Sequence, residues 1–367
     1  MTETREDQAA TPTHVDGSTP NEVAAGVDRF MGDVRGWLAF FLLMLGHRTG
    51  LLDVVRAGAG SAADISARAG THERSTAEWL AGMTAAGYLR HSNGVFTMPT
   101  GQAALFEGGV LPFDPTVLFT FPDVIARVQP DLERSLRDGR GVPYARYQPE
   151  FSQAQDAMNG PLYAMFLVQE WIPSVDGLQQ RLTDGIDVID IGCGGGRAIC
   201  HLAAAYPASR FVGYDIDEAA LAIGAARAAT EGLSNVDFRR HDVAELGVEA
   251  AADMVMAVDA VHDQAAPQKV LEAARRALRS EGVLVMVEPT ATGDLDQDVQ
   301  SPMAVMGYAT SLSHCVQVSL AEGGPGLGGM WGSAGARRLL KAAGFTDVQE
   351  HHSPSDYTVF AARTVRR

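Results

Sequence analysis

Apolar positions in the second half of the chain alternate between short strand-like runs and longer helix-like stretches. The strand-like runs are residues 187–191, 210–215, 236–241, 253–259 and 283–288, with helical segments between them. Strict alternation of this kind predicts an α/β fold in which a mostly parallel sheet is covered by helices. Two later runs, 346–351 and 357–363, predict an antiparallel hairpin that closes the sheet.

The first third of the chain has a different pattern. Residues 27–55 form an apolar helical region interrupted by Gly46 and Gly50, and Ser61 is placed to cap a short helix. Residues 71–88 predict another helix, and Ser92-Asn93-Gly94 predicts a turn before a strand-like tip. Helices followed by a turn and a hairpin are typical of a winged helix.

Four segments follow from these patterns. Residues 1–22 are polar and predict a disordered leader, and residues 23–110 predict the winged-helix domain. Residues 111–175 are rich in proline and aromatic residues, and they predict a helical connector that roofs the active site. Residues 176–367 predict the α/β domain with a Rossmann-like sheet.

Charge and cysteine content narrow the function classes. The chain has 367 residues and a formal net charge of −16, which argues against nucleic acid as a partner because phosphate binding needs concentrated Lys and Arg. The longest apolar run, residues 37–45, is too short to span a bilayer, so no membrane partner is expected. The three cysteines, Cys193, Cys200 and Cys315, form no C-x-x-C pair, which favours a reduced, cytoplasmic location.

A glycine-rich turn follows the first strand of the α/β domain, in the sequence Asp190-Ile191-Gly192-Cys193-Gly194-Gly195-Gly196. Glycines let the backbone pass close to a ligand. A dinucleotide site would need G-x-G-x-x-G, but Arg197 occupies the third glycine position. Asp215 ends the next strand, where a carboxylate is placed to accept hydrogen bonds from a ribose diol.

The turn D-x-G-x-G-G-G resembles motif I of class I S-adenosylmethionine-dependent methyltransferases. The resemblance implies that Asp190 lies near the methionine part of the cofactor, that Asp215 holds the ribose and that Asp242 reads the adenine. A helix N-cap is a second, compatible role for Asp242. The cofactor-binding residues implied in this way are Asp190, Gly192, Gly194, Gly196, Asp215, Ile216, Asp242, Val243 and Asp259.

A histidine follows the fourth strand, in Asp259-Ala260-Val261-His262-Asp263. This segment resembles plant-type O-methyltransferases, whose histidine is the general base, and Glu288 matches the glutamate that orients it. Histidine suits this role because its pKa lies near working pH. The chain departs from the pattern where Gln264 replaces a tryptophan and where residues 328–332 lack a second glutamate.

A second histidine, His314, falls in the loop region after the fifth strand. Together, His262, Asp263 and His314 supply the two imidazoles and one carboxylate of a facial-triad metal site. Two other roles stay open at this point, since Asp263 is also placed to cap a helix and His314 to be an ordinary buried histidine.

Residues 260–263, His314 and residues 319–324 resemble the metal-containing 2-oxo acid C-methyltransferases of actinobacterial natural-product pathways. The resemblance implies methylation of the β-carbon of an arylpyruvate, such as indolepyruvate or phenylpyruvate, or of a branched-chain 2-oxo acid. Iron is the first expectation for the metal, and zinc, nickel or cobalt also fit the donors. An O-methyltransferase of a phenolic molecule, with His262 as base, is the alternative.

The substrate's carboxylate needs a cation, for which Arg146 is the first choice and Arg127 the second. Aromatic residues that either line a pocket or belong to the core are Phe119, Phe121, Tyr163, Phe166 and Trp331.

The N-terminal block resembles the dimerisation domain of small-molecule methyltransferases, which implies a homodimer that uses the apolar helix 37–45. A ligand-sensing regulator is a third reading of the winged helix. Residues 73–79 include two glutamates and a tryptophan rather than a basic recognition face, and so argue against DNA binding.

Overall fold

The computed structural model describes residues 19–108, 110–111 and 113–364. They belong to two compact units, residues 1–111 and 112–367. Most of the expected disordered leader, residues 1–18, lies outside the described residues. The last three positions of that leader are helical, because Thr19 and Glu22 form a reciprocal capping box that satisfies the first backbone donors.

The first unit is helical with one small hairpin. Its elements are α1 (Pro20–Arg48), α2 (Leu51–Ala57), α3 (Ala62–Ala69), α4 (Glu73–Ala85), β1 (Arg90–Ser92), β2 (Val95–Thr97) and α5 (Thr100–Ala103). The predicted apolar region breaks at Gly50, whose φ of 74° suits glycine. Gly46 does not interrupt α1. It lies where a Cβ would overlap the ring of Trp79, whose indole N–H donates to the Leu42 carbonyl at 2.8 Å.

The hairpin confirms the predicted wing. β1 and β2 pair antiparallel, with Arg90 opposite Thr97. The turn residues Asn93 and Gly94 have φ values of 51° and 80°, as a two-residue hairpin turn requires. Ser61 caps α3 as predicted, in a second capping box with Asp64.

The surface of α1 carries several solvent-exposed apolar side chains. Phe30 and Trp37 are 66% and 64% exposed. No single described helix has both the length and the apolar character to cross a bilayer, although α1 and α2, bent by 84°, meet that test when taken together.

The second unit begins with helices and continues into alternating strands and helices. The helices before the sheet are α6 (Phe121–Asp138), α7 (Glu150–Leu162), a π-helical segment (Tyr163–Trp171) and α8 (Leu178–Asp184). The strands are β3 (Asp187–Ile191), β4 (Arg210–Asp215), β5 (Val236–Arg240), β6 (Ala252–Val258), β7 (Leu278–Pro289), β8 (Asp347–His352) and β9 (Tyr357–Arg363). The later helices are α9 (Arg197–Ala205), α10 (Glu218–Thr230), α11 (Pro267–Ala277), α12 (Leu295–Asp298), α13 (Ala304–Thr310), a π-helical turn (Ser311–Cys315), α14 (Val316–Ala321) and α15 (Gly332–Ala342).

The seven strands form one sheet in the order β5-β4-β3-β6-β7-β9-β8. The first five are parallel, and β9 runs antiparallel to both β7 and β8. The predicted sheet and closing hairpin are therefore confirmed. The carboxyl ends of the parallel strands lie along one edge, which is where such sheets bind ligands.

Apolar clusters cover both faces of the sheet. Trp171 and Phe211 pack on one face, and Leu271 and Phe345 pack on the other. The central strands β6 and β7 are buried on both sides, which explains their continuous apolar sequences. Packing on both faces of the sheet holds the strand ends, and therefore the residues that follow them, in place.

Two local features differ from the sequence prediction. β6 ends at Val258, so Asp259 lies outside the strand with a φ of 54°, a backbone conformation that is uncommon for aspartate. His314 was expected in a loop, but it lies in the π-helical turn Ser311–Cys315. Turns of this kind are rare and occur frequently at functional sites.

Candidate active site

The glycine-rich turn after β3 wraps around a carboxylate from β4. Gly192, Gly194 and Gly196 have φ values of 71°, 51° and 68°, which other residues rarely adopt. The Gly194 N–H donates to Asp215 Oδ2 at 2.8 Å, and the Asp217 N–H donates to Oδ1 at 2.9 Å. The turn is thereby fixed to the end of the neighbouring strand.

The surroundings of these glycines differ. A Cβ at Gly196 would overlap the ring of Phe238, whereas a Cβ at Gly194 would meet no atom within 4 Å. Gly196 therefore serves packing, and Gly194 keeps open the space above the turn where a ligand would approach.

Of the two carboxyl groups in this region, Asp190 is buried and Asp215 is partly buried. Burial, with the nearby Asp215 carboxylate, raises the pKa of Asp190 to about 8. Burial also raises the pKa of Asp215, although backbone N–H groups oppose the rise. Buried carboxyl groups facing a glycine turn are well placed to pair with a cationic or hydroxyl-bearing ligand.

A cleft of about 120 Å³ opens above the turn. Four of the expected cofactor residues, Asp190, Gly192, Gly194 and Asp259, line it. Its complete lining is Tyr144, Ser152, Gln155, Asp156, Asn159, Tyr163, Asp190, Gly192, Cys193, Gly194, Gly195, Arg197, Ala198, Ala220, Val258 and Asp259. The glycine turn, the two carboxyl groups and the cleft together fit a nucleoside cofactor.

The remaining expected cofactor residues lie along the same strand edge but do not line this cleft. Ile216 is 62% exposed, and Val243 is buried against the apolar core. Asp242 accepts from the Ala244 N–H at 2.9 Å and so caps a short 3₁₀ turn. The capping role considered for Asp242 is therefore present.

The sequence reading missed an ion-pair cluster beside the cleft. Asp156 of α7 pairs with Arg197, whose Nε lies 2.9 Å from Oδ1, and with Arg227, whose Nη2 lies 3.1 Å from both carboxylate oxygens. Arg227 also donates to the Gly195 carbonyl at 3.4 Å. The cluster connects α7 to the glycine turn. In the sequence, only the arginine at the start of α9 indicated a charged group beside the turn, and no sequence pattern connects Arg197 with Asp156.

A buried histidine and a carboxylate form the centre of the second part of the site. His262 lies in a 3₁₀ turn after β6, and its Nδ1 hydrogen-bonds Oε2 of Glu288 at the end of β7. Glu288 also accepts from the Val261 N–H at 3.0 Å and from the Trp331 indole N–H at 3.3 Å. These contacts fix the carboxylate, which in turn orients the imidazole so that Nε2 faces the site.

A second imidazole approaches from the π-helical turn. The Asp263 carboxylate lies between the two rings, with Oδ1 3.2 Å from His262 Nε2 and Oδ2 3.7 Å from His314 Nδ1. The ring of Phe151 stacks on His314 with centroids 3.9 Å apart, and Tyr147 packs edge-on at 4.8 Å. The fold thus places Asp263 near both imidazoles, but the described side chains whose ligand atoms all lie within 4.8 Å of one another are His262, Asp263 and Cys315, without His314.

The cluster has an excess of acidic groups. Burial opposes a charge on His262, but the carboxylates of Glu288 and Asp263 outweigh burial and raise its pKa well above 6.5. Asp259 Oδ1 is 3.9 Å from His262 Nε2 as well, and burial raises the pKa of Asp259 to about 6. Three carboxyl groups therefore surround one imidazolium.

His314 has the opposite tendency. Burial lowers its pKa to about 4, despite the nearby Asp263 carboxylate. A neutral imidazole is the form that binds metals. His314 Nε2 is buried and has no hydrogen-bond partner in the part of the chain that the structure describes, whereas Asp263 Oδ1 has only the ion-pair contact with His262. A buried nitrogen without a partner beside an excess of carboxylates fits a bound cation.

The expected carboxylate-binding arginines lie elsewhere. Arg146 is half-exposed, and its Nε is 2.9 Å from Asp131 Oδ2. Arg127 donates to Glu150 at 2.9 Å. Both guanidinium groups are satisfied by nearby acids of the chain, and neither lines the cleft. Sequence could not reveal these pairs because partners 15 and 23 residues away meet only after folding.

The aromatic residues divide between pocket and core. Tyr163 lines the cleft, and Trp331 holds Glu288. Phe119 is buried, while Phe121 and Phe166 pack against apolar clusters. The rings that contact His314 are instead Tyr144, Tyr147 and Phe151, which the sequence reading did not select.

Comparison with known families agrees with this geometry. Residues 182–344 match the family model described as a methyltransferase domain, and residues 38–107 match the Rv2258c-like winged HTH domain. The chain contains a class I S-adenosylmethionine-dependent methyltransferase domain. It lies in the second unit, and the winged helix-turn-helix domain lies in the first.

Curated relatives match a shorter part of the methyltransferase. The ubiquinone biosynthesis O-methyltransferase of Acinetobacter baumannii strain ACICU is 32% identical over 100 residues, which are 27% of this chain and 41% of that protein. The homologous enzyme of strain AYE is 31% identical over the same length. The chain thus spans less than half the length of the curated relatives that it matches.

Solved structures share the fold over nearly the whole length. PigF with SAH has a TM-score of 0.72 at 19% identity, covering 92% of this chain and 99% of that one. Human N-acetylserotonin methyltransferase in complex with SAM has a TM-score of 0.69 at 19% identity, covering 92% and 97%. The mitomycin 7-O-methyltransferase MmcR has a TM-score of 0.70 at 14% identity, covering 94% and 100%. At these identities the likeness establishes the fold.

Proposed function

We propose that this chain transfers the methyl group of S-adenosylmethionine to the β-carbon of a 2-oxo acid, with a divalent or ferric cation held by His262, Asp263 and His314. The substrates that we propose are arylpyruvates, such as indolepyruvate and phenylpyruvate, and branched-chain 2-oxo acids. The observation that carries the proposal is the Asp263 carboxylate placed between two buried imidazoles. The unpaired His314 nitrogen and the excess of carboxyl groups around it support the cation.

A bound cation would supply Lewis acidity, which makes the β-carbon proton of a 2-oxo acid acidic enough for water or hydroxide to accept it near neutral pH. Glu288 holds Nδ1 of His262, so Nε2 is the nitrogen that would bind the cation after losing its proton to solvent. Phe151 and Tyr147 enclose His314 and exclude water from its ring. Iron is our first expectation for the metal, and zinc, nickel or cobalt fit the same donors.

The glycine turn, together with Asp190 and Asp215, would bind the cofactor. Asp215 would accept hydrogen bonds from the ribose beside those that it accepts from Gly194 and Asp217, since a carboxylate has further acceptor sites. Asp190 and Asp259 line the same cleft. The methyl group would thus be presented next to the His262 side of the site, where alignment of the two reactants drives the transfer.

Chelation and matched histidine variants test this function. The metal-assisted reaction predicts that a chelator abolishes methylation of 2-oxo acids, detected by mass spectrometry, and that added metal restores it. It also predicts that His314→Ala is as damaging as His262→Ala, since both remove a ligand. The matched control is His351→Ala, because His351 lies on β8 against Glu170.

O-methylation of a phenolic molecule is the second candidate, and the His262–Glu288 pair favours it. That arrangement is suited to general-base catalysis, in which a carboxylate orients the imidazole. This reaction predicts full activity after chelation, near-total loss in His262→Ala and a mild effect of His314→Ala. Unchanged masses across arylpyruvates and branched-chain 2-oxo acids, with methylation of phenols, would select this candidate.

We also propose that the chain forms a homodimer through its first unit. The exposed apolar side chains of α1 support this, since contiguous apolar surface marks an interaction site. These side chains are Val27, Phe30, Met31, Trp37, Leu38, Phe41 and Leu45. Light scattering of the purified chain tests the assembly, and a mass of one chain at micromolar concentration would refute it.

A further inference from the structure

A buried thiol lies in the same cluster, at a position that the two-histidine, one-carboxylate set does not include. Cys315 is 7% exposed, and the ligand atoms of His262, Asp263 and Cys315 all lie within 4.8 Å of one another. The thiol lies close to the His262 imidazole in this group. We infer that Cys315 is a ligand of the cation, an inference that rests on the metal-assisted function proposed above.

The π-helical turn explains how one segment supplies two donors. His314 and Cys315 are consecutive and both buried in this turn. His314 faces the Asp263 carboxylate, and Cys315 meets His262, so the two neighbours meet the His262–Asp263 pair from the same turn. A single ion placed among His262, Asp263 and Cys315 would therefore be reached from both segments, with His314 beside Asp263.

The loop that covers this turn leaves room for the thiol. A Cβ at Gly329 would lie 3.9 Å from both Cys315 Sγ and His262 Nε2. A larger residue there would project its side chain into the space between the loop and the donors. Glycine at this position thus leaves the thiol open to the His262–Asp263 pair.

A thiol that only fills space would need no such surroundings. Cys200 is also buried, at 1% exposure, but it packs on α9 among apolar residues and belongs to no group of metal-binding side chains that the structure describes. Cys315 differs because an imidazole and a carboxylate face it. A thiolate ligand is soft and selects zinc, cobalt or iron over magnesium or calcium.

Cobalt spectroscopy of the full-length chain tests the inference. The chelator-treated protein would be titrated with Co²⁺ alone and followed by absorption, because a thiolate bound to Co²⁺ gives an intense charge-transfer band in the near ultraviolet. We expect that band, together with the visible bands of bound cobalt, at one equivalent. We expect Cys315→Ser to lose the charge-transfer band, keep the visible bands and weaken cobalt affinity by about 10- to 100-fold. The matched control Cys200→Ala should keep both.

The outcomes are separable. Visible cobalt bands without the charge-transfer band in the unsubstituted protein would overturn the role of Cys315 and leave the metal-assisted function intact. Failure of the unsubstituted protein to bind Co²⁺ would overturn both. A charge-transfer band that persists in Cys315→Ser would also refute the assignment. The spectrum of the unsubstituted protein decides the first two cases without depending on the folding of any variant.

Discussion

The buried pair of His262 and Glu288 gives a pH-dependent prediction for Glu288→Gln. The side chains are 3% and 2% exposed, so an imidazolium there has almost no access to water. Removing one partner of a buried ion pair costs about 3–5 kcal/mol. The amide retains an oxygen that can accept from the Val261 N–H, so we expect the low end, about 3 kcal/mol near pH 6.

The sign follows from the direction of the pKa shift. Because the pKa of His262 is raised in the folded chain, the pair contributes its full stability below the unfolded pKa of 6.5, and that stability is lost as pH rises through the folded pKa. The free-energy loss caused by Glu288→Gln should therefore be larger at about pH 6 than at about pH 9.

Urea unfolding in the presence of a chelator, followed by circular dichroism, measures this loss at both pH values. A matched control is Glu170→Gln, which breaks the contact with His351, a histidine whose side chain is 42% exposed. Exposed pairs contribute about 0–1 kcal/mol, so the control should change little. An equal loss at both pH values for Glu288→Gln would refute the assignment of an imidazolium to His262.

Three further predictions concern the cofactor turn and the subunit surface. Gly194→Ala should lower the free energy of unfolding by about 1–2 kcal/mol, because alanine rarely adopts the positive φ found there. Gly196→Ala should lower it by about 1–3 kcal/mol more, because the added Cβ would also overlap the ring of Phe238. Thermal unfolding measures both changes. Asp156→Asn should weaken S-adenosylmethionine binding about tenfold, because it breaks the ion pairs with both arginines. Calorimetry measures the affinity, and an unchanged value would refute the role of Asp156 in connecting α7 to the glycine turn. Phe30→Glu should give monomers in light scattering, whereas the equally exposed Leu136→Glu should not.

The architecture was predictable because it depends on short-range patterns. The strand boundaries at 187–191 and 210–215 agree with the structure, since buried parallel strands are continuous apolar runs between turns. The capping role of Ser61 was equally predictable, because its partner Asp64 lies only three residues later in the sequence. Hydrogen bonds and side-chain periodicity within a few residues set these features.

The cofactor cradle was partly predictable. Gly192 and Gly194 line the cleft as expected, because glycine at a strand end has few other uses. The missing piece was Asp156, which lies 41 residues before its partner Arg197 and carries no pattern that connects the two.

The sequence by itself determined which chemistry was available, namely two imidazoles and several carboxylates at strand ends. Only the tertiary structure decided which groups meet. It brought Asp263 and His314 together across 51 residues through a π-helical turn that no periodicity predicts, and it placed Cys315 beside them. It also paired Arg146 with Asp131, a contact that the sequence did not predict. Contacts between distant segments depend on how the elements pack, and local sequence patterns carry no record of that packing.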